Sequence, residues 1–303
     1  MNKMKKIGLT ALAASLVSVS ANAVDISGGA SLSYNGGNDG AQGNPWSMND
    51  SLTFTWGGEL DNGMTVDMNF LLDNSDGNAV FDNRSLALGL NGGGTLTFWG
   101  SSGSGVVGSF DDMMPTAYEE SWYSADSPNQ GHSTSNMFYY SNALDAATVH
   151  ASFTPASGGA DASSLEIGAV VTALENLELG FAIGEDNGSA TAVDNTIMYA
   201  KYTMGGATIG LQKNEADVAT TGDEDFQAAA ISYAVSEDMS VSVGKSKLDY
   251  EAVGTKAQEA TGFSASYTMG SMTLGAVANS TDSVLGSAGT DYSFTEVSLA
   301  FAF

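Results

Sequence analysis

Asp111, Asp112, Glu119, Glu120 and Asp126 all fall between residues 101 and 136, a stretch with no Lys or Arg. Clustered carboxylates can attract a cation or simply solvate a loop, and what faces them decides which. Other chemistry has little to work with. The chain has no cysteine and two histidines, His132 and His150. Thiolate nucleophiles, disulfides and His-rich metal sites therefore drop out. Neither histidine belongs to a Ser/His/Asp pattern, so no catalytic residue is assigned and no enzyme is expected. Gly92-Gly93-Gly94 lacks the Gly-Lys-Ser/Thr of a phosphate loop and reads as a turn. Asp73-Asn74-Ser75-Asp76-Gly77 and Asp223-Glu224-Asp225 are fragments of calcium-type loops without the full spacing, so neither metal nor cofactor is expected. Nine bases against 35 acids give 303 residues a formal charge of -26. A surface this acidic is a poor partner for nucleic acid.

The elements that must hold these groups begin after an address. Residues 1–23 read as a secretory signal peptide: Lys3, Lys5 and Lys6 precede an apolar stretch, Ile7 to Val19, and then the small-residue site Ala21-Asn22-Ala23. Its removal leaves 280 residues from Val24, with a formal charge of -29 once the three lysines are gone. From there the chain alternates. Leu52, Phe54 and Trp56 share one parity, as do Met64, Val66, Met68, Phe70 and Leu72, and later Leu177, Leu179, Phe181 and Ile183. Side chains on a strand point to opposite faces in turn, so each segment has one greasy face and one rich in Ser, Thr, Gly and Asn. Sixteen strands are expected, near 24–34, 51–60, 64–72, 84–90, 95–100, 137–141, 147–153, 164–173, 177–184, 195–204, 207–213, 225–235, 239–247, 260–269, 272–279 and 293–303. The sixth and seventh are the weakest, and fourteen or eighteen strands stay open. Connections alternate between tight turns, such as Asp61-Asn62-Gly63 and Gly205-Gly206, and long polar stretches. No composition break divides residues 24–303.

A soluble sandwich also alternates, but its polar faces carry many charges and its open edges are guarded by lysine. Here those faces carry few. A sheet in lipid must close to satisfy its edge hydrogen bonds. The expected fold is therefore all-β: a transmembrane antiparallel up-and-down β-barrel, with short periplasmic turns and long extracellular loops. The start Val24-Asp25-Ile26-Ser27-Gly28, the hairpin Leu52 to Leu72, the long third loop and the closing Val297, Leu299, Phe301 and Phe303 resemble Gram-negative general porins, the sixteen-stranded trimeric family. That resemblance implies an outer-membrane channel for small hydrophilic solutes and ions, and a homotrimer set among outer-membrane lipid and lipopolysaccharide. It also implies a terminal signal, Phe303 with Phe301 and Leu299, read by the outer-membrane assembly machinery.

By the same resemblance, the stretch 101–136 sits where the family's third loop folds inward to constrict the pore. Asp111, Asp112, Glu119, Glu120 and Asp126 would line the constriction, and Phe110, Tyr118, Trp122 and Tyr123 would pin the loop. The family usually opposes such acids with bases on the early strands. This chain departs from that: the inward parity there offers Thr53, Thr55, Glu59, Thr65, Asp67, Asn69, Ser85 and Ala87. Arg84 shares parity with Leu86 and belongs at the outer rim. Glu59, Asp67, Glu166, Lys201 and Glu296 have wall parity, and Lys201 is the only lumen cation expected. Carboxylates without counter-bases attract cations, so a cation-preferring pore is expected. The competing reading is a plugged barrel acting as a surface adhesin or structural protein.

Overall fold

The computed structural model describes residues 24–37, 44–73, 80–122, 135–156, 162–187, 192–218, 222–252 and 254–303. The expected signal at 1–23 and the loop residues Tyr123, Asp126 and His132 lie outside them. The chain runs through β1 (Asp25–Gly37), β2 (Trp46–Glu59), β3 (Thr65–Asp73), β4 (Val80–Gly89), β5 (Thr95–Ser101), β6 (Met137–Ala143), β7 (Ala147–Thr154) and β8 (Ser164–Leu174). It continues through β9 (Leu177–Asp186), β10 (Val193–Met204), β11 (Ala207–Val218), β12 (Glu224–Ala234), β13 (Met239–Tyr250), β14 (Gln258–Met269), β15 (Met272–Asp282) and β16 (Tyr292–Ala302).

Each strand pairs antiparallel with its sequence neighbours, and β1 pairs with β16 to close the barrel. Closure reaches the last residue: Phe303 N–H donates to Gly28 O at 2.9 Å, and Gly28 N–H donates to Phe303 O at 2.8 Å. No edge is left open, which in hydrocarbon is a requirement. Alternation then sorts the two faces. Leu211, Ile231, Val243, Phe263 and Phe301 lie on the outer surface and are exposed, a greasy belt that only a lipid solvent makes stable. The inner face carries hydroxyl ladders such as Ser33–Ser298 at 3.1 Å and Ser240–Ser266 at 2.8 Å. No helix among the described residues is long and apolar enough to cross a membrane; the crossing elements are strands.

The count of sixteen agrees with the alternation, but several strands run further than the alternation predicts. β2 begins at Trp46, β11 continues to Val218 and β15 to Asp282. These extensions all lie at the long-loop end. Period two is written only where one face meets lipid and the other water. Beyond the bilayer both faces are wet, the pattern fades, and backbone pairing carries on without it.

The buried apolar core is off-centre. Val106, Val107, Phe110, Met114 and Trp122 from the connection after β5 pack on Ala182, Ile197, Tyr199, Phe226, Ala228, Ala230 and Leu248 of the inner wall. The core of this barrel is the interface between one loop and one side of its interior.

Candidate functional site: a loop bound across the inner wall

The loop is held by a succession of inward side chains. On β7 and β8, Val106 N–H donates to Ser152 Oγ at 3.0 Å and Val107 N–H to Glu166 Oε2 at 3.1 Å. Ser152 Oγ donates to the same carboxylate oxygen at 2.7 Å. Glu166 thus faces inward, as its parity requires, but is 2% exposed: it anchors the loop rather than lining water. A tight turn comes next, with Phe110 N–H donating to Val107 O at 3.0 Å. The Phe110 ring lies 5.6 Å from the His150 ring and 5.9 Å from that of Tyr199.

On β11, the Gln212 amide grips both sides of the acidic pair. Its Nε2 donates to Phe110 O at 3.2 Å and to Asp111 O, and its Oε1 accepts from Met113 N–H at 2.9 Å. On β13 and β14, Ser242 Oγ accepts from Ala117 N–H at 3.1 Å and Ser264 Oγ from Tyr118 N–H at 3.2 Å. At the far side, Asn279 Nδ2 of β15 donates to Glu120 O at 3.0 Å, and Tyr118 Oη donates to Glu296 Oε1 of β16 at 3.0 Å. Backbone amides that a buried loop would otherwise leave unpaired are met by side chains from the wall.

Glycine makes room for this path. A Cβ at Gly210 would stand 2.3 Å from Pro115 Cδ, and one at Gly275 would stand 2.4 Å from the Tyr118 ring. Gly168, Gly244 and Gly262 likewise lie under Val106 and Ser121. Inward glycines on successive strands form a trench, and the loop lies in it. Burying Phe110 and Trp122 there stabilises the docked loop by about 1.5–3 kcal/mol per side chain.

The arrangement sends carboxylates into the lumen. Asp112 and Glu119 are exposed, while Asp111 and Glu120 are half-buried. Burial, then the neighbouring charges of Asp112 and Glu120, pushes the Asp111 carboxyl up to about 7. Burial, then Asp112 and Glu119, does the same to Glu120, also to about 7. Burial raises Asp112, and burial together with Glu296 raises Glu119. Asp111 thus feels Asp112 and Glu120, Glu120 feels Asp112 and Glu119, and Glu119 feels Glu296. Beside it, Glu119, Glu120, Asn279, Tyr292, Phe294 and Glu296 line a recess of about 230 Å³.

The wall of β2 to β4 holds a second recess lined by Asp25, Thr55, Thr65, Asp67, Asn69 and Ser85, with no base. Asp67 and Glu59 are exposed. Arg84 is exposed and pairs across with Phe70 on the outward row, next to a register shift in β4. Lys201 faces inward, but its ammonium is 2.7 Å from Glu178 Oε1 and 5.1 Å from the centre of the Tyr199 ring. His150 Nδ1 lies 3.0 Å from Tyr139 Oη. Among the described residues no group of three or more His, Cys, Asp or Glu is placed to hold a metal ion.

A closed sixteen-stranded barrel with a hydroxyl-lined interior, a lipid-facing exterior and a loop bound inside defines a channel-forming membrane protein. The model of the Gram-negative porin family matches residues 8–303, and the chain belongs to that family: it is a non-enzymatic diffusion channel of the outer membrane. The fold resembles that of the trimer form of OmpT from Vibrio cholerae, at 13% identity and a TM-score of 0.72, covering 94% of this chain and 100% of that one. It also resembles a mutant of the Rh. blastica porin, at 15% identity and a TM-score of 0.70, covering 93% and 100%. No curated protein sequence matches the chain.

The acids, the wall parity and Lys201 were legible in the sequence. The glycine trench and the anchoring role of Glu166 were missed, as were inward apolar residues such as Ile197, Phe226 and Leu248. A signal for the trench existed: Gly210, Gly244, Gly262 and Gly275 each sit at an inward position inside a strand, where glycine marks close approach of another chain segment.

Proposed function

We propose that this porin passes small hydrophilic solutes with a preference for cations, and that the loop acids Asp111, Asp112, Glu119, Glu120 and Asp126 set that preference at a constriction. The single observation that carries the reading is the absence of an opposing base. Of the inward-facing side chains described, Lys201 alone is cationic, and its charge is matched by Glu178. Fixed carboxylates in a narrow, low-dielectric passage raise the local cation concentration and exclude anions. Glu59, Asp67 and Glu296 add to the same sign along the wall. The chain further works as a homotrimer, exported by a cleaved signal at 1–23 and assembled through its terminal Phe303, Phe301 and Leu299.

Planar-bilayer recording tests the reading. The purified protein is expected to give porin-sized conductance steps and, in a KCl gradient, a zero-current potential of the sign set by K+. Anion sign would overturn the cation preference, and no conductance at all would favour a plugged barrel.

A further inference from the structure

The inward hydroxyls and amides of this barrel fall into two groups. On the loop side, Ser152, Gln212, Ser242 and Ser264 are each bonded to a backbone N–H of the loop. On β2 to β4, Thr55, Thr65, Asn69 and Ser85 line the recess of about 770 Å³, and none of their side chains hydrogen-bonds to another described residue. A recess of that volume has the size of a small-molecule site, about 300–1,000 Å³. We propose that it is a binding site for an uncharged saccharide of one or two rings.

Register sets the pattern of groups. Asp25 stands opposite Thr55, Thr55 opposite Asn69, Asn69 opposite Ser85, and Ser85 opposite Trp99. These inward side chains of β1 to β5 form one row across the wall, with about 4.8 Å from strand to strand. One inward position nearer the tight turns, Gly57, Asp67 and Ala87 form a second row, and Glu59, Thr65 and Gly89 a third.

Small residues shape the floor. A Cβ at Gly57 would collide with Asp67 Oδ1, and one at Gly89 with Thr65 Oγ1. Both polar side chains therefore lie sideways over glycine, flat along the wall, instead of standing out into the lumen. Ala87, on the other side of Asp67, leaves a dent beside its carboxylate. At the end of the first row a Cβ at Gly103 would collide with the Trp99 ring. The start of the loop thus packs on the indole and fixes it, half-buried, next to Ser85.

Chemistry selects the occupant. Hydroxyl and carboxamide groups both donate and accept, and the Asp67 carboxylate can accept from two hydroxyls at once. An anion would meet Asp25 and Asp67 and no base. Among the described residues no cluster is placed to hold a metal ion. An ammonium group only donates, so it would leave the donors of Thr55, Asn69 and Ser85 unmatched. A ring edged with hydroxyls answers donors and acceptors alike, and its apolar face suits an indole, which offers a broad apolar surface.

The proposal rests on the reading of the chain as a diffusion channel and names a class of solute for it. Single-channel K+ current in planar bilayers, recorded with increasing glucose or maltose, would read sugar occupancy as excess current noise. Wild type is expected to saturate with both sugars. The half-saturating concentration should rise at least about tenfold in D67N and in N69A/S85A, each of which removes hydrogen bonds to the ligand. It should rise several-fold in W99A. S240A/S266A, which removes hydroxyls that are bonded to each other at 2.8 Å, should leave it unchanged. Noise that grows linearly with sugar in wild type overturns the proposal, as does an unshifted half-saturation in both D67N and N69A/S85A. Glucosamine saturating at least about tenfold below glucose also overturns it, because charge rather than the hydroxyl pattern would then select. The zero-current potential in the same recordings keeps the two readings apart. Anion sign with saturable sugar binding supports the site and sinks the cation preference, and cation sign with linear noise does the reverse.

Discussion

The two sides of the lumen are built on opposite principles. From β7 round to β16 the inner wall is trenched by glycine, studded with Ser152, Gln212, Ser242 and Ser264, and covered by the loop they hold. From β2 to β4 it holds a recess of short polar side chains: Thr55, Asp67, Asn69, Ser85. The covered side is packed like a protein core, with Val106 and Val107 at 0% exposure. On the other side Thr55 and Asp67 are exposed among the described residues. The packed half holds the loop, and the passage proposed above runs beside the other. The acids are borne by the packed half, and the recess of β2 to β4 is lined without a base.

The contrast breaks most completely if the covered side is loosened. Replacing Phe110 and Trp122 by alanine removes two ring systems from the loop core, at a cost of about 3–5 kcal/mol each. Hydrogen exchange over residues 105–122 should rise by orders of magnitude and open-channel current should become noisy. Thr55→Ala with Asn69→Ala on the β2 to β4 wall should leave both unchanged without added sugar. Comparable effects from the two pairs would mean that the halves are not different in kind.

A smaller change is expected from giving the β2 to β4 wall the bases it lacks. T55K/N69K places two ammonium groups opposite the loop acids, and the K+ to Cl- permeability ratio, read from zero-current potentials, should drop several-fold. The matched pair T203K/T268K, on inward positions of β10 and β14 near the tight-turn end, should lower it less.

The smallest effect is the one pH produces without mutation. Asp111 and Glu120, each raised to about 7, are neutral well below that value and charged above it. Cation preference should therefore climb as pH rises from about 6 to 8 and fall on acidification. Loop docking responds with the opposite sign: with folded values above the unfolded ones, the docked loop binds more protons, so raising pH through 7 weakens it. Exchange over 105–122 should be slower at pH 6 than at pH 8 after correction for intrinsic rates. A flat selectivity profile in D111N/E120Q would assign the pH response to these two groups, and a persisting one would not.

How much could be read from the residues depends on the demands of the solvent. Lipid punishes any polar outward side chain, so Leu211, Ile231, Val243 and their kin announce the strands without a partner being known. Water at the strand ends makes no such demand, and Trp46 to Asp50 or Asn214 to Val218 look like loop although they pair. The acids of the loop were plain because charge without counter-charge is visible in one dimension. The wall that holds them was not, because Glu166 has the parity of a lumen carboxylate and only the loop's path buries it. The same holds for Ile197 and Phe226, apolar residues on a polar face whose purpose depends on a loop segment far away in the sequence.

The central claim is that the loop carboxylates, unopposed across the lumen, make the pore prefer cations. The zero-current potential of D111N/D112N/E119Q/E120Q against wild type, in the same KCl gradient at pH 8, tests it most directly. The account predicts a wild-type potential close to the K+ limit and a variant potential displaced well towards zero at similar conductance. An unchanged potential would contradict it.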